Sequence, residues 1–199
     1  MEEEKKPTSR KLQADKTRTE IYRVSIALMD KKGFGNTTIE EISRAAGVSV
    51  GTFYHYFKSK EDIFFDIYKK ADEYFETTVA QKLRTSGLIG PEQVVLYFKY
   101  YARYNKKRGY DNITQLYNTK NKFFAVKGRY MQELLKEVIA GGQSRKEISS
   151  DMSPEDATEF LFIASRGVVY DWCIHEGLYD LEKKMEAYMK KLIEVFIPR

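Results

Sequence analysis

Among 199 residues the chain has one cysteine, Cys173, and two histidines, His55 and His175. A single thiol excludes an internal disulfide framework and points to a reducing compartment. So few soft ligands make a Cys/His zinc site an unexpected feature, and Cys173 reads as a small buried hydrophobe. No apolar stretch approaches the roughly 18 residues of a membrane span. The opening segment, MEEEKKPTSRKLQADK, holds no apolar run of the kind a signal or anchor uses. Strand-like alternation, internal repeats and low-complexity tracts are missing too. So are a nucleophile–base–orienter set, a phosphate-binding glycine loop and any metal-ligand spacing. These absences predict a soluble, cytoplasmic protein that is not an enzyme, has no cofactor and no metal, and meets no membrane.

What is present suffices for a core: 42% of residues are hydrophobic, 14% aromatic and 32% charged, with a mean hydropathy of −0.56. The net charge of +5 is unevenly spread. Residues 10–60 carry ten Lys/Arg against five Asp/Glu, whereas residues 61–199 carry twenty-two against twenty-one. A basic excess in the first third fits a polyanionic partner; a Lys-rich solvated surface is the bland alternative. Within the remainder, residues 96–130 hold nine Lys/Arg and a single acid, Asp111.

Apolar spacing and punctuation are helical throughout, which predicts an all-α fold of about nine helices. Residues 1–14 read as a flexible arm. Thr17-Arg18-Thr19-Glu20 and Thr38-Ile39-Glu40-Glu41 have the form of capping boxes, with Gly33 and Gly47 as the corresponding stops. Ser59 is the expected cap of a long helix closing at Ser86-Gly87. Gly90-Pro91 opens the next, to about Arg108. A short helix around 111–118 and a longer one around 121–140 follow, the latter ending at Gly141-Gly142. Ser153-Pro154 opens a helix to about Glu176, and Asp180 caps the last.

Two short helices joined by a glycine-containing turn form a helix-turn-helix. On a helical wheel Val50, Phe53 and Phe57 share one face, which reads as core, and Gly51, Thr52 and His55 share the opposite one. Tyr54 and Tyr56 flank it. Gly51 near a helix start permits close backbone approach to phosphate, and Lys60 adds a cation. Helix-turn-helix look-alikes are common in helical proteins, and His55 alone would be an ordinary surface histidine.

The residues from about Lys16 to Tyr68 resemble the DNA-binding domain of TetR/AcrR-type transcriptional regulators. The resemblance rests on Gly33-Phe34, Thr37-Thr38-Ile39-Glu40-Glu41-Ile42 and Ala45-Ala46-Gly47-Val48-Ser49. It continues through Gly51-Thr52-Phe53-Tyr54-His55-Tyr56-Phe57 and Ser59-Lys60-Glu61-Asp62. It implies a helix-turn-helix domain over residues 15–68 and a ligand-binding and dimerisation domain over residues 69–199. It implies a homodimer on a palindromic operator of double-stranded DNA, usually repressing until a small-molecule effector enters the C-terminal domain. Thr38, Tyr54, Tyr56 and Lys60 match positions that hold phosphates; Ser49, Val50, Gly51, Thr52 and His55 match positions near base edges. Position 50, often Lys or Arg in the family, is Val here and offers only apolar contact.

Residues 96–130 also hold ten of the chain's twenty-eight aromatics. Tyr97, Tyr101, Tyr104, Tyr117, Phe123, Phe124 and Trp172 are the candidate effector lining, since tyrosine combines an apolar body with a polar tip. Beside so many cations such a cavity favours an amphipathic anion, although aromatic stripes are more often core. The 154–176 helix carries apolar residues on more than one face. Phe160, Ile163, Ala164, Gly167 and Val168, with Met185, Met189 and Phe196 from the last helix, are therefore candidates for the dimer interface. Two other readings stay open: a DNA-binding regulator controlled by a protein partner, and a carrier or enzyme built on the aromatic cavity.

Overall fold

The computed structural model describes residues 9–117 and 122–198, with side chains at all of these except 64–69 and 123. The first helix, α1 (Ser9–Lys32), starts well before the Thr17 box. Lys11, Leu12, Gln13 and Ala14 are strong helix formers with no breaker among them, so residues 9–14 are helix and not arm; residues 1–8 lie outside the described residues. Thr17 is not a cap: its Oγ1 donates to the Gln13 carbonyl (3.0 Å), the usual bond of a mid-helix threonine. Glu20 accepts from Arg23 instead (2.8 Å). Gly33, at φ +83°, ends α1 in the left-handed conformation a side chain resists.

The second box holds. Thr38 accepts from the Glu41 amide (3.2 Å) and Glu41 reaches back to the Thr38 amide (3.0 Å), opening α2 (Ile39–Ala45). Ser49 caps α3 (Val50–Tyr56), accepting from the Thr52 amide (3.0 Å). Ile21, Met29, Ile42, Phe53, Phe57 and Ile63 fill the core of this N-terminal unit, Met1–Asp66. Ser59 does not cap α4 (Asp62–Tyr74); a turn precedes it, and the Asp62 carboxylate accepts from the Lys58 amide (2.6 Å). Helix α4 continues through a π-helical turn (Phe75–Val79) into α5 (Ala80–Arg84), so the helical run is continuous, as its periodicity indicated. The helical spacing also predicts Phe64 and Ile67 on its buried stripe; both lie outside the described side chains.

The C-terminal unit, Ile67–Arg199, is built around α6 (Gly90–Arg108), α8 (Tyr130–Ser144), α9 (Pro154–Ile174) and α10 (Leu181–Leu192). A short α7 (Tyr110–Thr114) and two 3-10 turns, Phe123–Ala125 and Ile193–Phe196, complete it. The expected 121–140 helix is displaced: residues 126–129 are non-helical, and α8 runs through Gly141-Gly142 to Ser144. That pair is a contact, not a stop. A Cβ on Gly142 would come within 2.7 Å of Ile148 Cδ1, and one on Gly90 within 3.0 Å of the Gly142 Cα. Ser153 and Asp180 cap α9 and α10 as expected. Counting the α4–α5 run once, the described residues form nine helices and no strand. None of them is long and apolar enough to cross a membrane.

Candidate DNA interface and effector cavity

The seven residues of α3 are too few to hold a helix alone. Ser49 satisfies its first turn, its hydroxyl also meeting Thr52 Oγ1 (2.9 Å), and Phe53 and Phe57, both buried, clamp one side with rings 5.8 Å apart. Gly51, Tyr54 and His55 are exposed, and Thr52 and Tyr56 half-buried. His55 stands edge-on to Tyr56 at 4.9 Å. Val50 departs from the expected core face. At the first helical position it has no preceding turn to pack under, and it is 37% exposed.

Lys60 has a second task. Its Nζ donates to the carbonyls of Phe34 (2.9 Å) and Thr37 (2.6 Å) and lies 4.4 Å from the centre of the Phe34 ring. The cation thus ties the turn between α1 and α2 to the start of α4. Arg44, at the end of α2, and Lys58, after α3, are exposed. Basic counts alone did not single them out.

In the C-terminal unit a narrow cavity of about 50 Å³ is lined by Tyr101, Tyr104, Tyr117, Phe124, Phe162 and neighbours that include Asn105 and Gln132, with Arg129 and Arg166 in its wall. Four of the expected aromatics are therefore brought together. Tyr97 is not among them: its hydroxyl donates to the Met131 carbonyl (2.6 Å) and the ring is wholly buried, so it pins α6 to α8. Trp172 is elsewhere, its Nε1 donating to the Tyr179 carbonyl (3.1 Å). The side chain of Phe123 lies outside the described residues. Burial raises the Tyr101 phenol above its ordinary pKa; a hydrogen bond to Tyr117 and the charges of Arg166 and Arg129 oppose the rise.

The basic block does not face this cavity as a whole. Lys99, Arg103 and Lys106 turn to α10, pairing with Glu186 (2.8 Å), Glu182 (2.9 Å) and Asp180 (3.4 Å). The cavity's charge comes from arginines. Arg129 Nε donates to Asp72 (3.0 Å), and Arg108 lies 4.9 Å from the Tyr104 ring centre. Arg166 was missed, although it is the lone basic residue of α9 and interrupts an apolar run.

The profile of the bacterial regulatory proteins of the tetR family matches residues 21–67, the segment that builds α1 to the start of α4. Residues 21–67 thus form a tetR-family domain. Its tetR-type helix-turn-helix is α2 and α3, with Gly47 (φ +67°) in the turn between them. Over nearly the whole chain, similarity is lower. The "Probable acrEF/envCD operon repressor" of Escherichia coli K12 is 23% identical over 200 residues, covering 94% of this chain and 90% of the relative. The "Fatty acid metabolism regulator protein" of Bacillus subtilis 168 is 20% identical over 180 residues, covering 87% and 92%. Thermus thermophilus FadR, a tetR-family repressor solved with lauroyl-CoA, superposes with a TM-score of 0.71 at 21% identity, covering 92% of this chain and 96% of that one. At that identity the likeness establishes a shared fold.

The C-terminal unit also presents an apolar face. Along α9, Phe160, Ile163, Gly167, Tyr170 and Ile174 are exposed, Ile163 by 57% and Ile174 by 61%, with Ala164 half-buried among them. Three of the expected interface residues, Met185, Met189 and Phe196, are buried within the protomer, as is Val168. They lie on the side of α10 and α9 turned to the core. Leu178, Tyr188, Val195 and Ile197 are exposed apolar residues nearby in sequence, and they were not expected.

Proposed function

We propose that this protein is a sequence-specific DNA-binding transcriptional repressor, released from a palindromic operator when a small amphipathic anion enters the C-terminal cavity. The observation that carries the reading is α3: a short, capped helix clamped by Phe53 and Phe57, with an outer face of Gly51, Thr52, Tyr54 and His55. Gly51 adds no side chain between helix and backbone phosphate, and nothing but Ser49 Oγ stands within 4 Å of where its Cβ would be. Val50, exposed, suits a thymine methyl rather than guanine. Ser49, Thr52 and His55 supply polar groups at base edges. Thr38 and the flanking Tyr54 and Tyr56 supply phosphate contacts, with Arg44 and Lys58 as the exposed cations beside them.

One recognition helix covers a half-site, and dimers read two. The Phe160–Ile163–Ala164–Gly167–Tyr170–Ile174 stripe supports an isologous helix pairing, with Gly167 permitting close approach because nothing lies within 4 Å of its Cβ position. For the effector, the aromatic lining and the wall arginines support an amphipathic anion, in keeping with the lauroyl-CoA bound by Thermus thermophilus FadR.

The test is a footprint on DNA flanking the protein's own coding sequence, taken across a salt series and with long-chain acyl anions beside lipophilic cations. A protected inverted repeat, lost steeply with salt and released by the anions, is the expected result. Absence of any sequence-specific protection overturns the reading. Release by cations alone overturns the effector class.

A further inference from the structure

The narrow cavity shares a wall with a wider pocket. Phe124, Gln132, Phe162 and Arg166 bound both the inner cavity of about 50 Å³ and an outer pocket of about 170 Å³. Arg166 braces that wall: its Nη1 donates to the Phe124 carbonyl (2.9 Å), and its guanidinium carbon lies 5.3 Å from the centre of the Phe124 ring. Neither partner carries a charge. Glu133, Glu155 and Glu159 stand around the outer pocket, yet among the described residues none forms an ion pair with Arg166. Glu133 and Glu155 pair with Lys136. The second wall arginine, Arg129, is neutralised by Asp72. Arg166, half-buried on the junction of two chambers, thus stands without a counter-ion among the described residues.

We propose that Arg166 is the residue that binds the effector's anionic head, and that the anion displaces the Phe124 carbonyl and unlatches the Phe123–Ala125 turn. The proposal rests on the amphipathic-anion reading above. The bond to the carbonyl already has a charged donor; an anion adds the attraction of a second full charge, so the exchange runs toward the anion. A guanidinium can present two parallel N–H groups to a carboxylate or phosphate, where the carbonyl takes only one here. Once unlatched, the two chambers join and approach the roughly 300 Å³ at the lower end of small-molecule pockets. Anion recognition and cavity opening then become a single event at one side chain.

The experiment is calorimetry on the full-length protein with dodecanoate, lauroyl-CoA and 1-dodecanol, each below its critical micelle concentration. The wild type is expected to bind the anions at least about tenfold more tightly than dodecanol, as a charge-assisted bond implies. Arg166→Gln should bring that ratio close to one with dodecanol binding retained, and Arg166→Lys should fall between. Whether the loss is larger for dodecanoate or lauroyl-CoA identifies a carboxylate or a phosphate as the group Arg166 meets. A thermal melt of the free variants verifies folding. Independently of any variant, amide exchange across residues 123–128 of the wild type should rise with the anions and not with dodecanol. An unchanged anion preference in Arg166→Gln, with operator DNA still released, overturns the Arg166 assignment and leaves the effector reading standing. Exchange at 123–128 that ignores bound anion overturns the latch. If no amphiphile binds the wild type, both fall together.

Discussion

Replacing Lys60 with alanine separates a structural cation from a phosphate contact. The Lys60 ammonium makes two hydrogen bonds to carbonyls, at 2.9 and 2.6 Å, and a cation–π contact at 4.4 Å. Bonds to a charged donor are worth about 1.5–3 kcal/mol each, and a partly exposed cation–π contact adds about 0.5–1 kcal/mol. Water can replace the donor at the more open Phe34 carbonyl but reaches the Thr37 segment poorly, because Thr37 is fully buried. The net loss for Lys60→Ala is therefore about 2–3 kcal/mol, a large part of the stability of a domain this small. The assay has two arms: denaturant unfolding of the full-length protein, and operator affinity measured across salt. If the cation acts through the fold, stability falls by that amount, and the slope of log affinity against log salt stays that of the wild type once the unfolded fraction is corrected for. If it instead neutralises a phosphate, the slope drops by roughly one unit. A slope lowered by one with an unchanged unfolding midpoint would refute this reasoning.

Ser49→Ala removes the α3 cap and is expected to cost about 1 kcal/mol, read by denaturant unfolding. Ser49→Asp keeps the cap but sets a carboxylate against the phosphates, so it should unfold like the wild type and bind operator more weakly. Ile163→Lys, on the exposed stripe of α9, should give a monomer in sedimentation with its melting temperature little changed. Met185→Ala should instead lower stability by about 2–5 kcal/mol, as a buried truncation does. Hydrogen bonds from Lys190 and then Lys99 hold the Glu186 carboxyl down at about 2, from an ordinary value of 4.5. A depressed carboxylate stabilises the fold above its unfolded value and loses that contribution as pH falls through the folded one. The contribution of this carboxylate should thus begin to fade below about pH 4.5 and be lost toward pH 2, and Glu186→Gln should remove this portion of the acid transition.

Local chemistry was legible where a few adjacent residues decide the outcome. Thr38, Ser153 and Asp180 cap because their side chains reach amides two or three residues on. Gly33 and Gly47 follow helix ends because positive φ excludes most side chains. The same local logic misread Thr17, whose box is embedded in a longer run of helix formers. It also misread Gly141-Gly142, whose smallness serves Ile148, a neighbour in space. The aromatic stripe shows the limit most plainly. Tyr97 and Tyr101 are one turn apart on α6, yet the first meets the Met131 carbonyl and is core, while the second borders a cavity. Nothing in α6 distinguishes them; α8 does. Likewise Lys99, Arg103 and Lys106 read as a free basic block until Glu186, Glu182 and Asp180 descend the facing helix in the opposite order. Pairing of helices, not composition, determines which charges are free to meet a ligand.

These pairings also determine where the cavity can open. Phe98, Tyr101 and Phe162 interlock at centroid distances of 5.7 to 6.1 Å, so moving α6 from α9 would break several aromatic contacts at once. The Phe123–Ala125 turn is bound differently: Arg166 donates to the Phe124 carbonyl, Gln132 donates to the Val126 carbonyl (3.0 Å), and the Phe124 ring stacks against Tyr117 at 4.9 Å, while Arg129 beyond it is anchored to Asp72. Opening here breaks the Arg166 bond together with its neighbours, so the open form is a minor population. An inner volume of about 50 Å³ accommodates a few waters but no acyl chain, so a guest must bind the open form and its apparent affinity is reduced by that population. A neutral amphiphile bears the whole of that reduction. An anion recovers part of it, because the bond it forms with Arg166 replaces the bond that opening breaks.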